Sequence, residues 1–331
     1  MNTKKQTATQ HLFTNKQLRT LLVPIMVEQL LSSLMGTADT MMVSNVGSAA
    51  ISAVSLVDAI NILVIQALSA LAAGGAILCS QYLGSQNLKK AKRSAEQVLF
   101  VMLVLSCSLS LLCLIFRFPL LRLIFGTVDT DVMANSQIYF FFTLLSFPFI
   151  GLYDAGASIL RAQNNTKGPM TISILSNFLN IGGNAILIFV FGMGVAGAAI
   201  STLVSRIVVI WQLRNPAEQI YVRNYFSIRP DWSLIKRVLF IGIPSGIENS
   251  MFQFGKLAIQ STVSTLGTVA IAAQAMTSIL EALNGIAAMG VGIGLMTVVG
   301  QCIGAKRKDE AIYYIKRLSW LSEIVILISC A

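Results

Sequence analysis

The segments Ser80-Gln81-Tyr82-Leu83-Gly84-Ser85 and Gly300-Gln301-Cys302-Ile303-Gly304-Ala305 lie 220 residues apart and carry Gln and Gly at the same two positions. The same offset, without a gap, pairs Pro24 with Pro244. An apolar bias alone does not readily produce paired Gln, Gly and Pro at one offset. The sequence therefore predicts a duplicated unit, and a duplication of this length governs the architecture of the whole chain.

The composition is that of a membrane protein. Of the 331 residues, 55% are hydrophobic and 11% are charged, whereas about 25% of the residues in a soluble domain are charged. A span needs about 20 apolar residues, and such runs lie near 21–44, 51–79, 97–116, 136–159, 170–191, 195–214, 240–264 and 270–299. A ninth run starts near Leu318 and is only about 14 residues long at Ala331, so we expect the last helix to be cut off.

The distribution of positive charge predicts the topology. The net charge is +10, and on this map of spans nearly all lysines and arginines fall on one side, in the N-terminal arm and alternate loops. By the positive-inside rule the N-terminus is cytoplasmic and the protein is a multi-pass protein of the cell membrane. The excess charge is then a topological signal, and the expected partner is the lipid bilayer rather than nucleic acid. The five cysteines lack any metal-binding or disulfide spacing, so we expect no metal site from them.

Six spans separate the starts of the two copies. Because six is even, both copies begin on the same side of the membrane, which predicts a parallel repeat. The expected organisation is a cytoplasmic arm (1–20), an N-lobe of six transmembrane helices (21–214), a cytoplasmic linker (215–237) and a partial C-lobe (238–331). This is an all-α integral membrane protein with one complete lobe and the first two to three helices of a second.

Three local patterns resemble the MATE (multidrug and toxic compound extrusion) family. The first is the duplicated segment quoted above. The second is Leu160-Arg161-Ala162-Gln163-Asn164-Asn165-Thr166-Lys167-Gly168-Pro169-Met170, in which Asn164 and Asn165 stand where the family usually has Gly-Asp. The third is Ala38-Asp39-Thr40-Met41-Met42-Val43, which is similar to the family's Asp-x-x-Met-Val.

The resemblance implies a fold and a function. The family fold has twelve helices in two pseudo-symmetric lobes of six, with alternating access through a central cleft. The implied function is secondary active antiport, in which small organic molecules, often cationic drugs or metabolites, leave in exchange for H⁺ or Na⁺. No cofactor beyond the coupling ion is expected, and a complete chain is expected to be monomeric. The resemblance does not decide between H⁺ and Na⁺.

The predicted ion-coupling residues are Asp39, Asn180, Asn184 and Thr202. An ionisable side chain at membrane depth costs about 2.5–3.5 kcal/mol on insertion scales, so Asp39 is a functional candidate by default. The family uses an acid at the matching position, and Na⁺ near Asp39 is an open possibility. Asn180 and Asn184 are four residues apart and share a helix face, while Thr202 in the next span is a hydroxyl partner for them.

A second group of charged residues could serve the substrate or the second lobe. Glu28 and Glu248 each follow a proline by four residues in equivalent places of the two copies. Lys256 is expected to neutralise a buried charge by pairing with either Glu281 or Glu248. Asp154 in the fourth span ranks below Asp39 as a lining residue of the first lobe.

Three other functions were weighed. A lipid-linked sugar flippase of the wider superfamily would favour a strongly cationic cavity. Because Arg161 and Arg206 are assigned to the cytoplasmic side, Lys256 is the only intramembrane cation expected, which speaks against a flippase. The predicted spans lack the catalytic motifs of a membrane enzyme, since the only histidine, His11, lies outside them. A truncated fragment that does not transport is the remaining alternative.

Overall fold

A computed structural model describes residues 11–125, 130–212, 220, 228–264 and 268–330. The described residues form helices joined by short loops, with no strand among them. The helices are α1 (Asn15–Ser44), α2 (Ser48–Gly84), α3 (Leu88–Ile115), α4 (Arg117–Phe125), α5 (Thr130–Ala162), α6 (Lys167–Asn184), α7 (Gly194–Gln212), α8 (Trp232–Ser264), α9 (Thr268–Gly304) and α10 (Lys308–Cys330). A π-helical segment, Ala185–Val190, continues α6.

The prediction of a multi-pass helical membrane protein is confirmed. The eight predicted spans correspond to α1, α2, α3, α5, α6, α7, α8 and α9. Within the described ranges, six helices are long and apolar enough to cross a bilayer. The short helix α4 was not predicted. The ninth apolar run belongs to α10, which begins at Lys308 rather than near Leu318, because Asp309 and Glu310 suit the first turn of a helix.

The duplicated segment forms the same helix end twice. Gln86 and Lys306, 220 residues apart, both have positive φ, at 56° and 62°. After α2 the Asn87 N–H donates to the Tyr82 carbonyl at 2.9 Å, and after α9 the Arg307 N–H donates to the Cys302 carbonyl at 2.9 Å. This six-to-one bond with a left-handed residue is the Schellman motif. The repeat seen in the sequence is thus a repeat of backbone geometry.

The two copies of this helix end cross each other. A Cβ atom added to Gly84 would lie 2.1 Å from the Gln301 carbonyl oxygen, and one added to Gly304 would lie 2.0 Å from the Gln81 carbonyl oxygen. Only a hydrogen in place of a side chain allows the backbones of α2 and α9 to approach this closely. The contact is reciprocal, as an axis relating the two copies requires.

The first helix of each copy packs against the second helix of the other copy. α1 lies on α9, and α2 lies on α8. A Cβ on Gly74 of α2 would lie 2.8 Å from the Gly242 nitrogen of α8, and a Cβ on Gly294 of α9 would lie 2.4 Å from the Leu22 side chain of α1. Both contacts obey the 220-residue offset. The two halves are therefore interlocked.

Polar contacts join distant segments in each half at the end of the bundle where α1 begins. This end is called here the N-terminal end. The Phe13 N–H donates to the Tyr314 hydroxyl at 3.0 Å, and that hydroxyl donates to the Phe13 carbonyl at 2.9 Å. In the other half, Arg93 of α3 pairs with Asp231 at 3.0 Å. Hydrogen bonds from Ser233, with help from Arg93, hold the pKa of Asp231 below its usual value. Most of the predicted linker 215–237 precedes this brace and lies outside the described residues, so the domain boundaries stay a prediction.

We expect Gly84→Ala to destabilise the protein. The added methyl group meets backbone rather than a flexible side chain, so α2 and α9 must move apart, and overpacking of this kind costs about 1–3 kcal/mol. Thermal unfolding in detergent, followed by circular dichroism, measures the change. Gly255→Ala in α8 is the matched control, because nothing lies within 4 Å of its added Cβ. Equal melting temperatures for the two variants would contradict the crossing.

Candidate functional site

The structure brings Asp39, Asn180, Asn184 and Thr202 together inside the bundle. The buried Asp39 Oδ1 accepts a hydrogen bond from the Asn184 amide nitrogen. Asn184 also donates to the Asn180 amide oxygen at 3.5 Å, and Asn180 donates to the Thr202 hydroxyl at 3.1 Å. The four predicted residues form one connected network across α1, α6 and α7. Their role in ion coupling stays a prediction.

Close packing of α6 on α7 positions the asparagines. A Cβ on Gly183 would lie 2.4 Å from the Ser201 hydroxyl, so the glycine lets the helices approach. Ser201 then donates to the Asn180 carbonyl at 2.7 Å. Directly after Asn184 the helix changes from α to π, a departure that is frequent at functional sites.

The network offers oxygen atoms for a small cation or a proton. The Asn184 Oδ1 atom is buried without a hydrogen-bond partner. The nitrogen of the same amide group donates to the Asp39 carboxylate. An amide oxygen and a carboxylate can both coordinate Na⁺, and a protonated carboxyl can donate a hydrogen bond to an amide oxygen, so these residue types fit either predicted coupling ion.

A second acidic cluster surrounds Glu28 in α1. The Glu28 Oε1 atom accepts a hydrogen bond from the Tyr153 hydroxyl at 2.8 Å and forms an ion pair with Arg161 at 2.6 Å. The Glu28 and Arg161 side chains are 4% and 13% exposed. Asp154 follows Tyr153 in α5, and its Oδ2 atom is buried without a hydrogen-bond partner.

This second cluster borders a cavity of about 480 Å³ between the two halves. A volume of this size lies within the range of small-molecule sites. Its lining residues come from six described helices besides α2 and include Glu28, Gln29, Ser32, Met35, Tyr153, Asp154, Ser158, Arg161, Ser173, Ser176, Asn177, Arg206, Ser245, Asn249, Met289, Met296 and Thr297. Asn177 lies one turn before Asn180 on α6, so the cavity and the Asp39 network share a helix face.

Two arginines of this cavity were missed by the sequence analysis, which assigned Arg161 and Arg206 to the cytoplasmic side. Both lie within helices and line the cavity: Arg161 is in the last turn of α5, which continues past the predicted end at 159, and Arg206 is in α7. Arg206 donates from Nη1 to the Ser146 hydroxyl of α5. The sequence itself indicates this, since Arg206 is the only charged residue in the α7 sequence 194–212. The prediction that Lys256 is the only cation within the spans is therefore wrong.

The second-lobe candidates Glu248, Lys256 and Glu281 do not line the central cavity. Lys256 pairs with Glu281 at 2.8 Å rather than with Glu248, and the two side chains are 45% and 56% exposed. The expectation of a buried charge at Lys256 is wrong for the described residues, since no described helix covers this side of α8 and α9. Glu248 is exposed for the same reason. Its counterpart Glu28 is buried, and the Tyr153 and Arg161 side chains of α5 contact its carboxylate.

The loop after α5 explains a departure in the sequence. Asn164 has a φ of 65°, and the following amide, of Asn165, donates to the Leu160 carbonyl at 3.0 Å. Glycine is the usual residue at such a left-handed position, and asparagine is the commonest substitute. The Asn165 side-chain oxygen accepts from the Gly168 N–H at 3.0 Å, which an aspartate would also do. Asn164-Asn165 therefore fulfils the backbone roles of Gly-Asp.

Comparison with known proteins identifies a family. The MatE family model matches residues 24–186 and 244–331. A probable multidrug resistance protein NorM from Thermotoga maritima is 28% identical over 95% of this chain and 68% of its own length. The uncharacterised transporter YisQ of Bacillus subtilis is 27% identical over 87% of this chain and 64% of its own length. The chain thus spans about two thirds of these relatives, which are named as transporters or resistance proteins rather than enzymes.

A solved structure shows the same fold. It is an outward-facing multidrug resistance MATE family transporter of the MOP superfamily, and it superposes with a TM-score of 0.86 at 21% identity. The match covers 95% of this chain and 71% of that chain. The predicted fold class, two pseudo-symmetric lobes of which this chain holds part, is therefore confirmed.

We expect Arg161→Gln to destabilise the protein by about 3–5 kcal/mol, because it leaves the buried Glu28 carboxylate without a counter-charge. The double variant Glu28→Gln with Arg161→Gln should lose less, since no unpaired charge remains. Lys256→Gln, which breaks an exposed pair, should change stability by less than about 1 kcal/mol. Thermal unfolding of the purified variants measures the series. A double variant less stable than Arg161→Gln alone would contradict a buried ion pair.

Proposed function

Because the chain belongs to the MATE family of transporters, we propose that it is a secondary active antiporter. It exports small organic molecules that carry a basic group, and H⁺ or Na⁺ enters in exchange. The protein is a multi-pass protein of the cell membrane with a cytoplasmic N-terminus, acts as a monomer, and uses no cofactor beyond the coupling ion. The observation that carries this proposal is the buried Asp39 network beside a central cavity.

The Asp39 network has the chemistry of a reversible cation site. Asp39 is held by the neutral amide of Asn184, and none of the ion pairs among the described residues includes it. A carboxylate held by an amide keeps a hydrogen-bond partner whether or not it carries a proton, because an amide can donate or accept. The site can therefore load and release a cation without dismantling the helices around it.

The cavity supports the substrate part of the proposal. Asn177 lines the cavity and lies on the same face of α6 as Asn180 and Asn184. A change of charge at Asp39 can therefore alter substrate binding in the cavity through α6. Occupancy of the two sites then becomes mutually dependent, which is the requirement for antiport, since a ligand shifts a conformational equilibrium only by its difference in affinity for the two states.

The contacts at the N-terminal end support an outward-facing state. On the proposed topology this end is cytoplasmic. The Gln301 side chain of α9 donates to the Ala162 carbonyl of α5 at 2.8 Å there, close to the crossing of Gly84 and Gly304. The Phe13 and Tyr314 brace closes the same end. These bonds must part for the cavity to open to the cytoplasm.

We expect Asp39→Asn to abolish gradient-driven export while the protein still folds and inserts. An amide has the shape of a carboxylate but cannot carry the negative charge that binds H⁺ or Na⁺. The measurement is uptake of a fluorescent organic cation into everted membrane vesicles from cells that produce the protein from its complete reading frame. A pH gradient without Na⁺ and a Na⁺ gradient with a protonophore are imposed separately.

The control is Asp131→Asn, which makes the same chemical change at an exposed position at the start of α5. It should transport at the rate of the unmodified protein. The gradient that drives uptake identifies the coupling ion. Unchanged export by Asp39→Asn at equal protein level would rule out the coupling role of Asp39.

A further inference from the structure

Asp58 of α2 is a second acid held by neutral groups. Its Oδ1 atom accepts hydrogen bonds from the Asn61 amide nitrogen at 3.2 Å and from the Tyr139 hydroxyl of α5 at 3.3 Å. None of the ion pairs among the described residues includes Asp58. In this respect it resembles Asp39, which is held by an amide, and differs from the ion-paired Glu28.

The surroundings of Asp58 are apolar. The preceding residue, Val57, is fully buried, and Tyr139 is 3% exposed. Both belong to one buried hydrophobic cluster of the first half. Asp58 lies ~15 Å along α2 from its start at Ser48, at the rise of an α-helix. An ionised carboxylate in such surroundings is costly unless a positive charge accompanies it.

The charges in this part of the bundle do not balance. Arg206 of α7 lies within electrostatic range of three acids, which are Asp39, Asp58 and Asp154. One guanidinium group can neutralise one carboxylate, so two negative charges remain when all three acids are ionised. Asp39 and Asp58 also lie within electrostatic range of each other, and like charges repel. Two bound cations would restore neutrality.

The groups around Asp58 are able to hold a cation. Asn61 is 5% exposed, and its Oδ1 atom is buried without a hydrogen-bond partner. The hydrogen bonds that Asp58 accepts from the described residues both reach Oδ1, which leaves Oδ2 for a ligand. A protonated Oδ2 can donate to an amide oxygen, and a carboxylate together with an amide oxygen can coordinate Na⁺.

We infer that Asp58, with Asn61 and Tyr139, forms a second cation site besides the Asp39 network, so that two cations enter in each transport cycle. Both acids lie toward the end of the bundle opposite the N-terminal end, where α1 passes into α2. On the proposed topology this end is extracellular, so cations reach both acids from the same side. The inference rests on the proposed antiport and specifies its stoichiometry.

The probe gradient at which net flux vanishes measures the number of coupling cations. Radiolabelled tetraethylammonium is the probe, and the protein from its complete reading frame is reconstituted in liposomes whose membrane potential is held at zero. Under gradients of about tenfold in both H⁺ and Na⁺, exchange of two cations for one probe molecule should balance a probe gradient of about hundredfold, whereas exchange of one cation should balance about tenfold.

Three variants assign the second cation to Asp58. Asp58→Asn removes the carboxyl group and should lower the balancing gradient from about hundredfold to about tenfold. Asp58→Glu keeps a carboxyl group and should retain the larger gradient. Asp131→Asn, at an exposed position at the start of α5, is the matched control and should also retain it. A purely structural role of Asp58 would change the protein level or the rate, but not the gradient at which flux vanishes.

Carbodiimide labelling tests the same acid without transport. Dicyclohexylcarbodiimide modifies protonated carboxyl groups in apolar surroundings, and peptide mapping by mass spectrometry locates the modified residues. At low pH without Na⁺, Asp39 and Asp58 should both be modified, whereas Glu28, which is paired with Arg161, should not. Protection of Asp58 by added Na⁺ would identify Na⁺ as its ligand, and protection by raised pH alone would identify H⁺.

Two results would overturn the inference. In one, the unmodified protein and Asp58→Asn give the same balancing gradient, and in the other, carbodiimide modifies Asp39 but not Asp58. If Asp58→Asn fails to fold, labelling of the unmodified protein decides. Probe flux that balances at about tenfold in the unmodified protein would defeat only the inference. Labelling of Asp58 without any cation-driven flux would defeat only the proposed function.

Discussion

The close crossing of α2 and α9 is the constraint on which the rest of the structure depends. Gly84 and Gly304 each lie against a backbone carbonyl of the opposite helix, of Gln301 and Gln81. A lipid-embedded bundle gains little from the hydrophobic effect between helices, so backbone contacts of small residues are a main source of cohesion. With this crossing in place, α1 must lie on α9 and α8 on α2. The halves are held at one end, and the cavity between them follows from that arrangement.

The repeat made much of this fold predictable. The 220-residue offset predicts that two helix ends have the same geometry, and the positive φ angles of Gln86 and Lys306 agree with this prediction. Apolar runs forecast the spans, because every backbone polar group in a bilayer must be bonded within a helix. Helix boundaries were less predictable. Polar residues such as Ser80 and Gln81 continue α2 past the apolar run, since hydrogen bonding within the helix does not require apolar side chains.

The candidate site was predictable only in part. Asp39, Asn180 and Asn184 stand out because polar residues are conspicuous in apolar runs, and a spacing of four residues fixes their common face. The partner of each residue depends on tertiary packing, which spacing does not report. Arg161 illustrates this. The sequence places it in a cytoplasmic loop, whereas in the structure its side chain forms an ion pair with Glu28 of α1. This contact joins a side chain of α5 to one of α1, and no local pattern in the sequence marks it.

The two acids of α1 show two ways of burying a carboxylate. Glu28 is neutralised by Arg161 and bonded by Tyr153, and this arrangement fits one charge state only, because removal of the negative charge would leave the arginine unpaired. Asp39 is held by the neutral Asn184, and amides tolerate either state of a neighbouring acid. One helix therefore carries an ion-paired acid, Glu28, near its middle and an acid held by a neutral amide, Asp39, nearer its C-terminal end. The ion pair ties α1 to α5. In the proposed antiport, a change of charge at Asp39 would therefore act on a helix that is already anchored.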